Sequence, residues 1–265
     1  MGRFLPGRLL AIPALEMLQY RANAYLFLLV LLFQVLLYRS LWHALYHGGQ
    51  VIGGLDLRSV VGYSVLGVLV GQGSLVAGSN PAVQARMRSG EIVYDFLRPL
   101  APLWSYTLQS MGSAMVTLAW VAVGSVLAWA FGLLMPPSGP GDFLWFVLSL
   151  LIGIQISLSL SFLAGLASFW TLETRAVEGL YRAVLQVLSG AIVPLTFFPA
   201  WVLHLSNLLP FAQAVSVPLL LYIHPQPFNR ALTTVAVQAL WLIALRALSS
   251  WAWARGARRL VVQGG

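Results

Sequence analysis

Apolar residues dominate the chain in six long runs, at residues 24–46, 60–79, 106–135, 143–170, 183–205 and 231–254. A helix needs about 20 apolar residues to cross the hydrocarbon of a bilayer. Six runs of that size predict an all-α membrane protein with six transmembrane helices and both termini on one side. The first run follows 23 residues and has no small-residue cleavage site after it, so an uncleaved span and a mature chain beginning near Met1 are expected. Ahead of it, Leu5, Leu9, Ile12, Leu15 and Leu18 recur every three or four positions, while Glu16, Gln19 and Asn23 fall on another face. That spacing predicts an amphipathic helix over residues 1–23, lying in the membrane interface. It serves either as a connector from a cytoplasmic partner to the first span or as a plain anchor. Residues 24–254 form the membrane domain, and residues 255–265 a basic tail.

Arginine placement orients the spans, because basic residues are retained in short cytoplasmic loops. Arg3, Arg8, Arg21, Arg86, Arg88, Arg98, Arg175, Arg182, Arg255, Arg258 and Arg259, eleven in all, fall on one side. Arg39, Arg58 and Arg230 fall on the other, and Arg246 lies inside the last run, about two turns from its charged end. Both termini are therefore expected in the cytoplasm, in a multi-pass membrane protein. No polar stretch exceeds the loop of about 25 residues between the second and third spans, so no soluble domain fits. Gly67 and Gly71 have the GxxxG spacing that lets helices approach closely, either within the subunit or between two copies.

Composition narrows the chemistry. Of 265 residues 59% are hydrophobic and 8% charged, against about 25% charged in a soluble domain. All 15 basic residues are arginine, so the chain has no lysine, and it has no cysteine. Without lysine there is no P-loop and no Schiff-base chemistry; without cysteine there is no disulfide and no thiolate site. The net charge of +8 is explained by membrane retention and gives no reason to expect nucleic acid. Of the seven acids, Glu16, Asp56, Glu91, Asp95, Asp142, Glu173 and Glu178, none is mid-span. A proton- or sodium-coupled carrier places carboxylates near the midplane. HExxH, GxSxG and paired aspartates are missing too, so the chain itself is not expected to be an enzyme. His43 and His47 have the i, i+4 spacing of a metal clamp, but two ligands do not make a zinc site. No metal is expected.

One cytoplasmic loop, residues 86–102, has a helical pattern. Ile92, Val93, Phe96 and Leu97 share one side, Glu91, Asp95 and Arg98 another, and Pro99 ends it. A short helix of this kind between two spans suits a groove on a soluble partner. Its text, RSGEIVYDFLRPLAP, resembles the corresponding loop of ABC-2-type export permeases, in particular small six-span bacterial ones reading R-x-G-x-x-x-x-x-L-x-R-P-L, with Phe96 in place of the first leucine. SGAIVPLTFFPAWV from Ser189 and LPFAQAVSVPLLL from Leu209 are similar to the segments before the last span of those permeases.

The resemblance implies the membrane subunit of an ABC exporter. Its ATP-binding subunits would be separate polypeptides, two per complex, and would hold the ATP and Mg; this chain would hold no cofactor. A second permease copy or similar subunit, and membrane lipid, would complete the assembly. Residues 89–97 would be the coupling helix, with Arg88, Gly90, Glu91, Asp95, Leu97, Arg98 and Pro99 as its contact set. In the fourth-to-fifth loop Glu173, Arg175, Glu178 and Arg182 either form a second partner contact or solvate a short helix, with Arg175 and Arg182 spaced to pair with Glu178.

Beyond the fifth run the chain stays apolar but is interrupted by Pro194, Pro199, Pro210, Pro218, Pro225 and Pro227. Such a segment must be buried in protein or line a cavity. The resemblance implies two short re-entrant helices over residues 197–222 that close the path externally, with Pro194, Phe197, Phe198, Pro199, Pro210 and Phe211 as the gate region. Gln155, Ser157 and Ser161, near Ser159 in the fourth span, either line the path or bond between helices. The expected function is outward movement of a hydrophobic or amphipathic cargo by alternating access. The alternatives are a secondary transporter and a membrane assembly protein without transport.

Overall fold

The computed structural model describes residues 10–15, 21–76, 94, 102–167, 170 and 174–260. Nine helices of five residues or more follow one another among residues 21–260: α1 Arg21–Leu45, α2 Leu57–Val76, α3 Pro102–Ala130, α4 Pro140–Leu166, α5 Thr174–Leu188, α6 Ala200–Leu208, α7 Pro210–Ala214, α8 Ser216–Ile223 and α9 Phe228–Leu260. A 3-10 turn at Leu195–Phe197 lies between α5 and α6. Among the described residues there is no strand beyond an isolated bridge between Ile52 and Leu55.

Four helices are long and apolar enough to cross a membrane, over Leu28–Leu45, Leu103–Ala130, Pro140–Leu166 and Phe228–Arg258, and α2 is apolar over the shorter stretch Leu57–Gly71. They cover the first, third, fourth, sixth and second predicted runs. The fifth run is corrected: residues 183–205 do not form one helix. The chain leaves α5 at Leu188, turns at Ser189 and Gly190, and passes through the 3-10 turn before α6. Gly190 stands at φ +71°, a backbone state that side-chain-bearing residues rarely adopt, and Pro194 and Pro199 cannot donate to a continuing helix. α5 is also not a lipid-clad rod. Val177, Tyr181, Val184, Leu185 and Leu188 form its half-buried stripe at helical period, and Leu180 and Arg182 are exposed.

The proline-rich segment folds as three short helices, α6 to α8, where two were expected over residues 197–222. Pro199 and Pro210 occupy the N-terminal ends of α6 and α7, where the missing N–H leaves no bond unmade. The segment is folded into the bundle: α7 and α8 both pack on α4, and α8 also on α2. Gln238 of α9, fully buried, donates its Nε2 hydrogens to the Gln213 carbonyl of α7 at 2.8 Å and the Ser149 carbonyl of α4 at 3.4 Å. Tyr63 of α2 donates to the Gly190 carbonyl at 2.8 Å, and the Ser216 amide to the Ser189 carbonyl at 3.0 Å.

α4 is the central helix, touching α3, α5, α7, α8 and α9 and burying Leu150, Ile154 and Ile156 completely or nearly so. α1 is the peripheral one: it packs on α2, with Trp42 Nε1 donating to Ser64 Oγ at 2.8 Å, and leaves Leu29 67% and Phe33 62% exposed. In a chain with this hydropathy such faces belong against lipid or another apolar helix. Of the GxxxG pair, Gly67 packs inside the subunit, since a Cβ there would come within 2.8 Å of the Ala191 carbonyl oxygen; Gly71 meets nothing within 4 Å. Residues 10–15 are helical and lie against α3, where a Cβ on Gly112 would collide with the Leu10 carbonyl. The remainder of the predicted 1–23 interfacial helix up to residue 20 lies outside the described residues.

The turn at Gly190 makes a specific prediction. A Cβ there would meet the Leu195 side chain at 2.9 Å and the Tyr63 hydroxyl at 3.0 Å, on a left-handed backbone. Gly190→Ala is expected to lower stability by about 1–3 kcal/mol. Thermal unfolding of both proteins in the same detergent measures it.

Candidate functional site

Arg246 projects from the interior of α9 into the bundle, toward the first turns of α3 and the middle of α4. Its Nη1 donates to Thr107 Oγ1 of α3 at 3.3 Å, and its Nη2 to Ser110 Oγ of α3 at 3.1 Å and to Gln155 Oε1 of α4 at 2.5 Å. Gln155 Nε2 in turn donates to the Ser110 carbonyl at 3.1 Å. The local sequence explains how helices hold this set. Thr107 and Ser110 are three apart on α3, and Ser110, Ser249 and Ser250 each return a hydroxyl proton to a carbonyl one turn back, leaving oxygen lone pairs for an incoming donor.

Around the guanidinium is a cavity of about 300 Å³. Thr107, Ser110, Ser159, Ser249 and Ser250 give it a hydroxyl-bearing side, while Leu103, Trp104, Leu158 and Phe162 give it an apolar one. Tyr106, Phe162 and Trp253 pack together just beyond, with Phe162 stacked on Trp253 at 6.2 Å between centroids. The start of α3 and the end of α9 lie on the side where the arginine distribution leads one to expect the cytoplasm. Arg255, exposed, stands over the Trp251 ring at 5.5 Å.

The guanidinium has no carboxylate beside it among the described residues. Asp56 and Asp142, whose side chains are described, start α2 and α4; Asp142 is thirteen residues, about 20 Å, along α4 from Gln155. Asp56 caps α2, accepting from the Ser59 amide at 3.0 Å. The Ser59 hydrogen bonds hold its carboxyl below the usual carboxylate range.

The structure distributes the sequence-predicted residues unevenly. Gln155 enters the Arg246 cluster and so bonds between helices. Ser157 contributes its carbonyl, which accepts from Tyr181 of α5 at 3.2 Å, and Ser161 is half-buried. Pro194 and Pro210 are buried, Phe197, Phe198 and Phe211 half-buried, and Pro199 exposed; Phe197 meets Trp42 edge-on at 5.5 Å. The coupling loop lies outside the described residues apart from Tyr94, which is helical and exposed. Arg88, Gly90, Glu91, Asp95, Leu97, Arg98, Pro99 and Glu173 are therefore not placed. Arg175 and Glu178 are on α5 with side chains outside the described set, and Arg182 is exposed on the same helix. His43, His47, His204 and His224 are all exposed, and among the described residues no three His, Asp or Glu side chains converge.

Sequence reasoning passed over Arg246 as a near-terminal charge. The usable signal was its company: Thr107, Ser110 and Gln155 are polar positions inside otherwise apolar runs, and buried polar groups in a membrane find one another. Replacing Gln155 by Leu removes an acceptor from Arg246 and is expected to destabilise the fold by about 1–3 kcal/mol, read as a lower midpoint in thermal unfolding.

A family profile for ABC-2 family transporter proteins matches residues 9–264. No curated protein matches the chain. No solved structure does either.

Proposed function

The chain belongs to the ABC-2 family of transporter proteins, and from that premise we propose that it is the permease subunit of an ATP-driven exporter that moves a hydrophobic or amphipathic cargo outward by alternating access. The family is a membrane transporter component that usually works with an ATP-binding subunit. The observation that carries the proposal is this membership in a chain without a lysine, which cannot form a Walker motif of its own. Energy therefore comes from outside, from two ATP-binding subunits that hold ATP and Mg. No cofactor is assigned to this chain.

The topology proposed is six crossings with both termini in the cytoplasm of a prokaryotic cell. Four crossings are the long helices, and the fifth is α2, whose 20 residues reach about 30 Å. The sixth is composite: α5 covers the cytoplasmic half, and α6 to α8 close the external half as a re-entrant cap that includes Phe197, Phe198 and Phe211. Backbone breaks at membrane depth are tolerated where protein covers them, as the Tyr63 and Gln238 bonds do here. A second permease copy or similar subunit completes the pathway, and the exposed faces of α1 and α9 are available to it or to lipid.

The residue 89–97 helix is assigned to coupling, with Glu91, Asp95 and Arg98 as its polar contacts and the α5 end as a secondary contact. The double variant Glu91→Arg, Asp95→Arg should reduce copurification of the ATP-binding subunit or uncouple ATP turnover from export, at matched membrane expression. Equal assembly and equal coupling would remove the role from this loop.

The topology is tested separately. With no cysteine in the background, single cysteines near Gly49 and Ser138 should react with an impermeant thiol reagent on intact cells, whereas Ser89→Cys and Gln263→Cys should react only after lysis. Labelling of Ser89→Cys on intact cells would reverse the orientation.

A further inference from the structure

A guanidinium below the membrane surface calls for a counter-charge or a full set of acceptors. Arg246 has neither among the described residues. Of its five donors, three are bonded, to Thr107, Ser110 and Gln155, and all three acceptors are neutral. The Nε hydrogen and one Nη1 hydrogen remain for a ligand, in a cavity of about 300 Å³ that the same side chain lines. A planar fork with spare donors matches the oxygens of a carboxylate or phosphate, and an anion supplies the counter-charge that the neutral hydroxyl and amide acceptors do not.

Depth and walls decide what carries that oxyanion. Arg246 precedes Arg255 by nine residues, about 13 Å along α9, so it sits beneath the level of the exposed cytoplasmic arginines. A small water-soluble anion would exchange its full hydration shell for the spare Arg246 donors and the neighbouring hydroxyls, and has no apolar surface with which to gain from the rest of the recess. An apolar body gains from the same move, since Trp104, 66% exposed at the mouth, and Phe162 line the remainder of the recess. Arg255 and Arg258 at the surface would gather anionic heads ahead of the deeper site.

We propose that this recess, on the cytoplasmic-leaflet half of α3, α4 and α9, is the intake site for cargo, and that the cargo is an anionic amphiphile: one acidic head on an apolar body. The head pairs with Arg246, assisted by Thr107 and Ser110, and the body lies along Trp104 and Phe162. The assignment rests on the permease proposal and supplies its substrate class.

The test uses the full chain, alone and with its ATP-binding subunit, in phosphatidylcholine nanodiscs. The probe is anthroyloxy-stearate, a fluorescent single-chain carboxylate, competed by oleate, methyl oleate, inorganic phosphate or phosphatidylglycerol placed in the disc. Saturable binding is expected, with oleate competing at least about tenfold better than its methyl ester, and Arg246→Gln weakening the probe by about tenfold or more. Competition by phosphatidylglycerol assigns the head to a diacyl phospholipid; competition by oleate without it assigns a single-chain acid. Trp104→Ala, at an exposed position, should weaken binding several-fold with an unchanged unfolding midpoint, and keeps the test decisive if Arg246→Gln does not fold. Equal competition by acid and ester, full binding by a folded Arg246→Gln, or displacement by inorganic phosphate as effective as by oleate overturns the proposal. Failure of the ATP-binding subunit to copurify, with binding by the chain alone intact, counts against the permease proposal instead.

Discussion

Tyr63 donates its hydroxyl proton to the carbonyl of Gly190 at 2.8 Å, at the place where a long apolar stretch stops being helix. In hydrocarbon an unbonded backbone group costs several kcal/mol, so a chain that leaves the helix there must find partners inside the protein. The Ser189 carbonyl finds the Ser216 amide, the Gly190 carbonyl finds Tyr63, and Gln238 reaches across to the carbonyls of Gln213 and Ser149. Each of these bonds joins helices distant in sequence. The broken segment is thereby attached to α2, α4 and α9 together, and α4, with neighbours around most of its surface, becomes the element on which the others are placed.

The second polar set obeys the same rule at the opposite end of the bundle. Thr107, Ser110 and Gln155 would be poor choices in a helix face that met lipid. Together they make a neutral cradle for Arg246, which by itself would be difficult to bury. The two ends differ in one respect. Around the broken segment the spare polar atoms, Ser149 Oγ, Ser189 Oγ, Gln213 Oε1 and Gln238 Oε1, are buried without a partner among the described residues, whereas the spare donors of Arg246 belong to a side chain that lines a cavity. Only the second set is open to a ligand.

Much of the architecture was legible because hydrophobic run length reports directly on span length. The runs 24–46, 106–135, 143–170 and 231–254 became α1, α3, α4 and α9 with ends moved by a few residues, since fraying and capping are set by local contacts. The run 183–205 was misread because hydropathy averaging does not register a left-handed glycine or the helical stripe of α5. Residues Val177 to Leu188 alternate in burial with a period that belongs to a half-covered helix, which the charges at Glu173 to Arg182 already hinted at. The three-helix division of residues 200–223 was equally hidden: Pro199, Pro210 and Pro218 mark breaks, but whether a proline opens a new helix or kinks one depends on the packing that receives it. Arg246 was legible only in combination, because one arginine near a helix end is ordinary and becomes informative when distant runs each supply a polar partner. The loop at residues 86–101 carried the clearest sequence resemblance while lying almost wholly outside the described residues, so its reading still stands on sequence alone.

The chain order ties these parts into one mechanical argument for the permease proposal. The loop assigned to the motor leads directly into α3, and the first two turns of that helix, Leu103, Trp104 and Thr107, line the Arg246 cavity. α5, which carries Arg175, Glu178 and Arg182, bonds through Tyr181 to the Ser157 carbonyl two residues beyond Gln155 on α4. Displacement of either segment therefore acts on a helix that supplies an Arg246 ligand. A shift of α3 away from α9 and α4 would lengthen the Thr107 and Ser110 bonds to Arg246, at 3.3 and 3.1 Å, and the Gln155 bond to the Ser110 carbonyl, whereas the Arg246 contact to Gln155 does not involve α3. Arg246 would then remain with Gln155 while its hydroxyl partners retreat, so the grip on any bound anion would weaken without unfolding the cluster. A motor stroke delivered through α3 needs no long-range signal to reach this site, because the helix it pushes is already one wall of it.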